Sequence, residues 1–353
     1  MPPDARAVIA GDIAEIVGRD LPWSDLANAG VLVTGATGML PSYAVHTLLA
    51  LNDRDQLGIE VYALARNQAK ARAVFGEALD RPDLHLLLGD VTEPVELPGR
   101  LDWVLHGASP ARPALHASDP VGTLRANILG TMNLLELCRA HPGSGLLLMS
   151  SAEVYGKTAG HDGLTDEDSY GGLDILNVRS CYPEGKRAAE TMAAAYTSQY
   201  GVASRVPRFG HIYGPGLAPD DGRVQADFAA NVATGQDIVL NSDGSATRTY
   251  TYVADAVAGM FTVLLLGADA TAYNVSDERG LVSIRELATL FTQVRPDRGL
   301  KLSFTGSVGD RAVSAAKAQG LSSARLAALG WRPQVDLPTG LDRMVTAFEA
   351  AVS

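Results

Sequence analysis

The sequence predicts an α/β fold, with helices covering both faces of a parallel sheet and a smaller C-terminal lobe after it. Three observations carry that expectation. Short apolar runs alternate with helix-length segments through the first half of the chain. The first run passes straight into a glycine-containing turn and a helical pattern. Beyond about residue 206, strand-like runs thin out and turns gain Gly, Pro and Asp, as in Gly214-Pro215-Gly216 and Asp220-Asp221-Gly222.

Taken in order, residues 1–29 read as a helical N-terminal extension, with Ile9, Ile13 and Ile16 at helical spacing and Trp23 ahead of the first strand. Val31-Leu32-Val33 is a short buried strand, and the apolar positions Tyr43, Val45, Leu48 and Leu49 place a helix after it. Further strands are expected at 59–64, 84–88, 102–105 and 146–149, and a helix at 124–139. Strands apolar on both faces belong to a sheet covered on both sides, the doubly wound or Rossmann architecture. The dinucleotide-binding domain is therefore set at 30–205 and a mainly substrate-binding lobe at 206–353, with no linker or repeat between them.

Bulk composition narrows the function. With 353 residues, 46% hydrophobic and 20% charged, the chain suits one large α/β unit or two fused lobes and not a disordered protein. A net charge of −11 argues against a nucleic-acid surface, so any phosphate site must be built locally from backbone amides and a few arginines. Two cysteines, Cys138 and Cys181, make neither a disulfide framework nor a metal cluster and fit a cytoplasmic setting. The start of the chain lacks a secretory pattern, and no apolar run is long enough for a membrane.

The turn Thr34-Gly35-Ala36-Thr37-Gly38-Met39-Leu40-Pro41 joins the first strand to a helix. Gly35 and Gly38 let the backbone approach a pyrophosphate at the helix N-terminus, making Gly35, Thr37, Gly38 and Met39 cofactor contacts. Pro41 stands where such turns often carry a third glycine, and in a first helical turn it loses no hydrogen bond. The second strand ends in Ala65-Arg66-Asn67 without the acid that usually meets the ribose hydroxyls of NAD. Arg66 suits a 2′-phosphate equally, so NAD and NADP both stay open; Asp90, after the third strand, is an adenine-side candidate.

The sharpest signal is Tyr182-Pro183-Glu184-Gly185-Lys186. Tyr and Lys four apart share a helix face, and a nearby ammonium lowers a phenol's pKa so that it can take a hydroxyl proton as hydride leaves. Upstream stands a hydroxyl-bearing strand end, Met149-Ser150-Ser151-Ala152-Glu153-Val154-Tyr155-Gly156. Together with Leu105-His106-Gly107-Ala108-Ser109-Pro110-Ala111, Asn127, Tyr213-Gly214-Pro215, Asp221-Gly222-Arg223-Val224, Arg248 and Leu329-Gly330-Trp331, these motifs fall in a set order over Val31–Phe348. In that order the chain resembles an extended short-chain dehydrogenase/reductase of the nucleotide-sugar epimerase/dehydratase group, with motifs nearest to UDP-glucuronate decarboxylases.

The resemblance implies Ser151 as the hydroxyl partner of the reacting sugar, Tyr182 as general base and Lys186 as the ribose-binding residue beside it. It implies Glu153 as an acid for the step after oxidation, Val91 and Ala108 as cofactor contacts, and Ser109 as a substrate contact. Arg223 and Arg248 are expected on the diphosphate, and Arg208 in a structural role. His116 and His211 stand where the group tends to carry a tyrosine and an asparagine against the sugar. Ala152 replaces the aspartate that 4,6-dehydratases place before the glutamate. The resemblance further implies a transient 4-keto sugar, no metal and a homodimer. Alternatives at this point are a 4-epimerase or dehydratase, an NADPH-dependent ketoreductase and a non-catalytic dinucleotide sensor.

Overall fold

The computed structural model describes residues 3–110, 112–157, 164–305 and 320–352; Ala111 lies outside them. The first half runs α1 (Pro3–Val17), β1 (Gly30–Thr34), α2 (Met39–Asp55), β2 (Glu60–Ala65), α3 (Gln68–Phe75), β3 (Leu84–Leu88), β4 (Trp103–His106), α4 (Pro113–Ser118), α5 (Pro120–Ala140), β5 (Gly145–Leu148), β6 (Ser150–Ser151) and α6 (Cys181–Tyr200). Then come β7 (Ala203–Phe209), β8 (His211–Tyr213), α7 (Val224–Ala233), β9 (Ile238–Leu240), β10 (Thr247–Tyr252), α8 (Val253–Leu266) and β11 (Thr271–Val275). The chain closes with β12 (Leu281–Ser283), α9 (Ile284–Val294), β13 (Leu302–Phe304), α10 (Ala324–Ala328) and α11 (Leu337–Val352).

The main sheet is parallel and ordered β3-β2-β1-β4-β5-β7-β11, with β6 also paired to β7. Chain order reverses between β1 and β4, and ligand crevices in such sheets open at that reversal. β1 is buried along its length, as expected for a central strand with helices on both faces. Expected strands recur within a residue or two. The expected helix at 124–139 begins earlier, because Asp119 caps it through the Gly122 amide and Pro120 occupies its first turn. Pro183 is likewise the third residue of its helix, where no intrahelical bond is lost.

The border set at 205/206 does not divide the sheet. It falls inside β7, and β11, sixty-odd residues later in the chain, returns to pair with β7 from Thr271↔Arg205 to Val275↔Phe209. The three-stranded sheet β12-β10-β8 and the pair β13-β9 make up the rest of the second half's strands among the described residues.

The N-terminal extension is part of the core. Ile9, Ile13 and Ile16 are buried, and Trp23 meets Phe261 edge-on at 5.3 Å. Asp12, fully buried, accepts the hydroxyls of Tyr43 and Tyr252, both at 2.8 Å, and Arg343 Nη1 at 2.9 Å, joining α1, α2, β10 and α11. Burial pushes its carboxyl up from 3.8 to about 6, against the pull of those three partners. The folded state thus holds a proton more tightly than the unfolded one, so this group's contribution to stability weakens as pH rises through that interval. Replacing Asp12 by Ala strands two buried hydroxyls and one arginine bond. It should lower unfolding free energy by about 3–5 kcal/mol, read from the denaturant midpoint. An unchanged midpoint would show that the network does not anchor α1.

Candidate active site

The turn after β1 is shaped by contact with the segment after β4. Gly35 has φ +64°, and a Cβ there would lie 2.8 Å from Ala108 Cα. Only glycine meets both conditions without strain. Thr34 bridges the same gap: its hydroxyl pairs with His106 Nδ1 at 2.8 Å and takes the Ala108 amide at 3.3 Å. Burial, helped by the charge of Lys186, lowers His106 to about 3, so a neutral imidazole fixes the β1–β4 mouth. His106 lay inside a quoted motif, yet its role depends on the Thr34↔His106 register, which has no local signature.

Gly38 caps α2 without a side-chain bond, and the first amides of α2 have no intrahelical acceptor. Pro41 is accommodated because Gly107 has no side chain: a Cβ at Gly107 would lie 2.5 Å from Pro41 Cγ and 2.8 Å from Met149 Sδ. The space that a third glycine would have left is thus supplied from the opposite wall.

Above the turn opens a cleft of about 970 Å³, lined by Gly35, Thr37, Gly38, Met39, Arg66, Asp90, Val91, Ala108, Ser109 and Arg223 among others. The expected cofactor positions other than Lys186 therefore line one cleft. Asp90 accepts the Thr92 amide at 2.9 Å and lies 3.5 Å from Arg66; burial opposes its ionisation, but these partners hold its carboxyl below the usual range. Ser109 Oγ, in the cleft lining, is buried without a protein partner, as a polar atom is when a ligand completes it. Such a glycine turn, free helix amides and an orphaned hydroxyl fit a dinucleotide. Replacing Gly35 by Ala should weaken cofactor binding at least about tenfold, because strain and the Ala108 clash displace the turn. Equilibrium titration with NAD checks this, and an unchanged affinity would remove the turn from the site.

Past the inner wall, Lys186 sits on α6 almost fully buried and donates to Met149 O at 2.8 Å. Desolvation lowers its ammonium to about 8. Ser151, at the end of β6, accepts the Glu153 amide at 3.2 Å and adjoins the Tyr182 phenol. The expected lowering of Tyr182 by Lys186 is not what this arrangement gives. Burial dominates and pushes the phenol up to about 12; Ser151 and Arg223 oppose that rise, while Lys186 Nζ stays 5.9 Å from the ring centroid, tied to Met149.

His116 was expected against the sugar. Instead its ring lies flat on Tyr182, centroids 4.5 Å apart and 12° from parallel, and Nε2 meets Pro110 O at 2.9 Å. It is buried and backs the tyrosine. Glu153 is exposed, yet the protein around it strips hydration and pushes its carboxyl up, against His116 and Arg179.

A second cluster lies on the other side. Burial first, then Arg248 and Arg223, lowers His211 to about 4, and its ring tilts against Tyr250 at 5.8 Å. Arg223 is paired with Asp221. Arg248 donates to Thr247 O at 2.7 Å, and no salt bridge to it is found among the described residues. Arg208 is structural: it grips Glu190 and donates to Tyr155 Oη at 3.0 Å and to Glu167 O. Among the described residues no group of His, Cys, Asp and Glu could hold a metal, and no helix is long and apolar enough to cross a membrane.

Residues 31–276 match the sequence profile described as "NAD dependent epimerase/dehydratase family". UDP-glucuronic acid decarboxylase 6 of Arabidopsis thaliana is 31% identical over 91% of this chain and 89% of its own length. The NAD complex of Thermus thermophilus UDP-glucose 4-epimerase superposes with a TM-score of 0.72 at 26% identity, over 91% of this chain and 99% of that one. Thermotoga maritima UDP-glucose 4-epimerase, at 20% identity, shares the fold with a TM-score of 0.78 over 92% of this chain and 100% of that one.

Proposed function

The chain belongs to the NAD dependent epimerase/dehydratase family, and from that premise we propose that it is a UDP-uronate decarboxylase acting through a transient 4-keto sugar. It is an NAD-dependent enzyme of the nucleotide-sugar class. The observation that carries the finer reading is Glu153, a carboxyl with raised proton affinity beside Tyr182, while Ala152 leaves no second acid for a dehydration. The Arabidopsis decarboxylase, similar over most of both chains, supports the same reaction.

In this reading Tyr182 takes the O4 proton with Ser151 holding that hydroxyl, as the C4 hydride leaves. NAD held in the cleft would supply the hydride acceptor for this oxidation and the hydride for the closing reduction. The C4 ketone makes the C5 carboxylate a β-keto acid, which departs as carbon dioxide and leaves an enolate. Glu153, held protonated more readily than an ordinary glutamate, is placed to deliver the C5 proton. Lys186 holds the nicotinamide ribose, with Gly35, Thr37, Gly38, Met39, Val91 and Ala108 along the dinucleotide and Asp90 at the adenine. Ser109 and His211 meet the sugar, and the forks of Arg223 and Arg248 meet the diphosphate. His116 fixes the Tyr182 ring.

A cytoplasmic homodimer completes the reading. Two unpaired cysteines support the compartment, and exposed Val121 and Met132 on α5 support a helical dimer face. Incubating the purified protein with UDP-glucuronate and NAD, without reductant, tests the reaction. Mass spectrometry should show loss of carbon dioxide with no net consumption of cofactor. An unchanged mass would overturn decarboxylation, and a new isomer at that mass would establish 4-epimerisation in its place.

A further inference from the structure

The strand end that presents Ser151 is held by little backbone. β6 is two residues long and pairs only with β7, Ser150 opposite Arg208 and Ser151 opposite Phe209. Side chains of α6 make up for this. Lys186 Nζ donates to Met149 O at 2.8 Å, and Arg187 Nε donates to Val154 O at 2.7 Å. Between those two anchors, Ser150 Oγ donates to Glu190 Oε1. One helix thus grips the chain on both sides of Ser151. Successive strand side chains face opposite ways, so Ser151 is left free for the Tyr182 phenol.

Glu190 is the centre of this arrangement. Arg208 takes both its oxygens, Nη2 to Oε2 at 2.7 Å and Nε to Oε1 at 3.0 Å, and the two side chains are only 12% and 14% exposed. A carboxylate held by a buried fork gives Ser150 an acceptor of fixed position. Glu190 also follows Lys186 by four residues, which makes the two neighbours on one helix face. Burial favours loss of the Lys186 proton, and the charge of Glu190 opposes that loss. Among the described residues no other group around the ammonium does so. His106, from β4, is neutral, and Tyr182, on α6 itself, keeps its proton. Asn127, from α5, lies uncharged against Gly185, and Arg208, from β7, is a cation.

We propose that Glu190 is a positioning residue of the active site: it fixes the strand end that presents Ser151 and supplies the counter-charge of Lys186. It stands two helical turns, roughly 12 Å, beyond Tyr182 and acts only through those two residues. The proposal rests on the roles given above to Ser151 and Lys186.

Glu190→Gln and Ser150→Ala test it in the full chain with NAD bound. The first keeps the shape of the side chain and removes its charge. The second removes only the strand bond and leaves the Glu190–Arg208 pair whole, so it tests the anchor even if the first fails to fold. Hydrogen exchange of the amides at 151–154 should quicken at least about tenfold in both variants. NMR of lysine isotope-labelled at Cε should show Lys186 losing its proton about one pH unit lower in Glu190→Gln, and at the wild-type pH in Ser150→Ala. Turnover of UDP-glucuronate should fall about tenfold or more at unchanged KM in both, and its alkaline limb should move to lower pH in Glu190→Gln alone. Unchanged exchange and titration would overturn the proposal, and so would changed exchange and titration with wild-type turnover. Wild-type protein inert toward UDP-glucuronate would instead overturn the decarboxylase reading, and exchange and titration would still decide the role of Glu190.

Discussion

Tyr182→Phe should cut turnover of the nucleotide sugar by about 10²–10⁴-fold while the protein keeps its fold and its cofactor. The phenol is the one group placed to take the sugar's hydroxyl proton, beside Ser151 and on the α6 face that also carries Lys186. Its ring would survive the substitution, and with it the flat contact to His116 at 4.5 Å, so thermal stability should hardly move. Because burial pushes the phenol up to about 12, the free site keeps its proton at neutral pH. The phenol must therefore lose that proton before it can accept the one on the sugar hydroxyl. Wild-type turnover in the variant would take Tyr182 out of the chemistry; a fall in turnover together with lost NAD binding would mark it as structural.

Glu153→Gln should separate the two halves of the reaction. Oxidation at C4 needs only Ser151, Tyr182 and Lys186, whereas the step after it needs an acid that can give up a proton. The glutamine keeps the size and removes the proton, so an oxidised sugar nucleotide should accumulate and product formation fall by about 10²-fold or more. Rapid quenching and mass analysis read both. Normal product at a normal rate would leave Glu153 as a turn-capping acid. Its raised proton affinity would then be only a consequence of the protein packed around it.

Much of this was legible in the sequence, because the signals are local. A strand running into Gly35 and Gly38, and a Tyr and Lys one helical turn apart, announce themselves over a few residues. What could not be read depends on distant partners. β11 rejoins the main sheet after a long excursion, and parallel pairing across that separation leaves no trace in either strand. The flat stack of His116 on Tyr182 joins α4 to α6, so a residue that reads as a sugar contact turns out to back the tyrosine. Lys186 was expected to tune the phenol by proximity. The Met149 carbonyl holds its ammonium, and desolvation of both groups outweighs their mutual effect. Asp12 lies in the N-terminal extension, and nothing near it foretells two tyrosines and an arginine from elsewhere in the chain.

The central claim is that a hydride leaves C4 and the carboxyl leaves C5 in one active site. UDP-glucuronate carrying deuterium at C4, incubated with the purified protein and NAD in ordinary water, tests both at once. The account predicts a decarboxylated product with the deuterium back at C4. A decarboxylated product whose label has washed into solvent would contradict it, as would UDP-glucuronate recovered intact with its label in place.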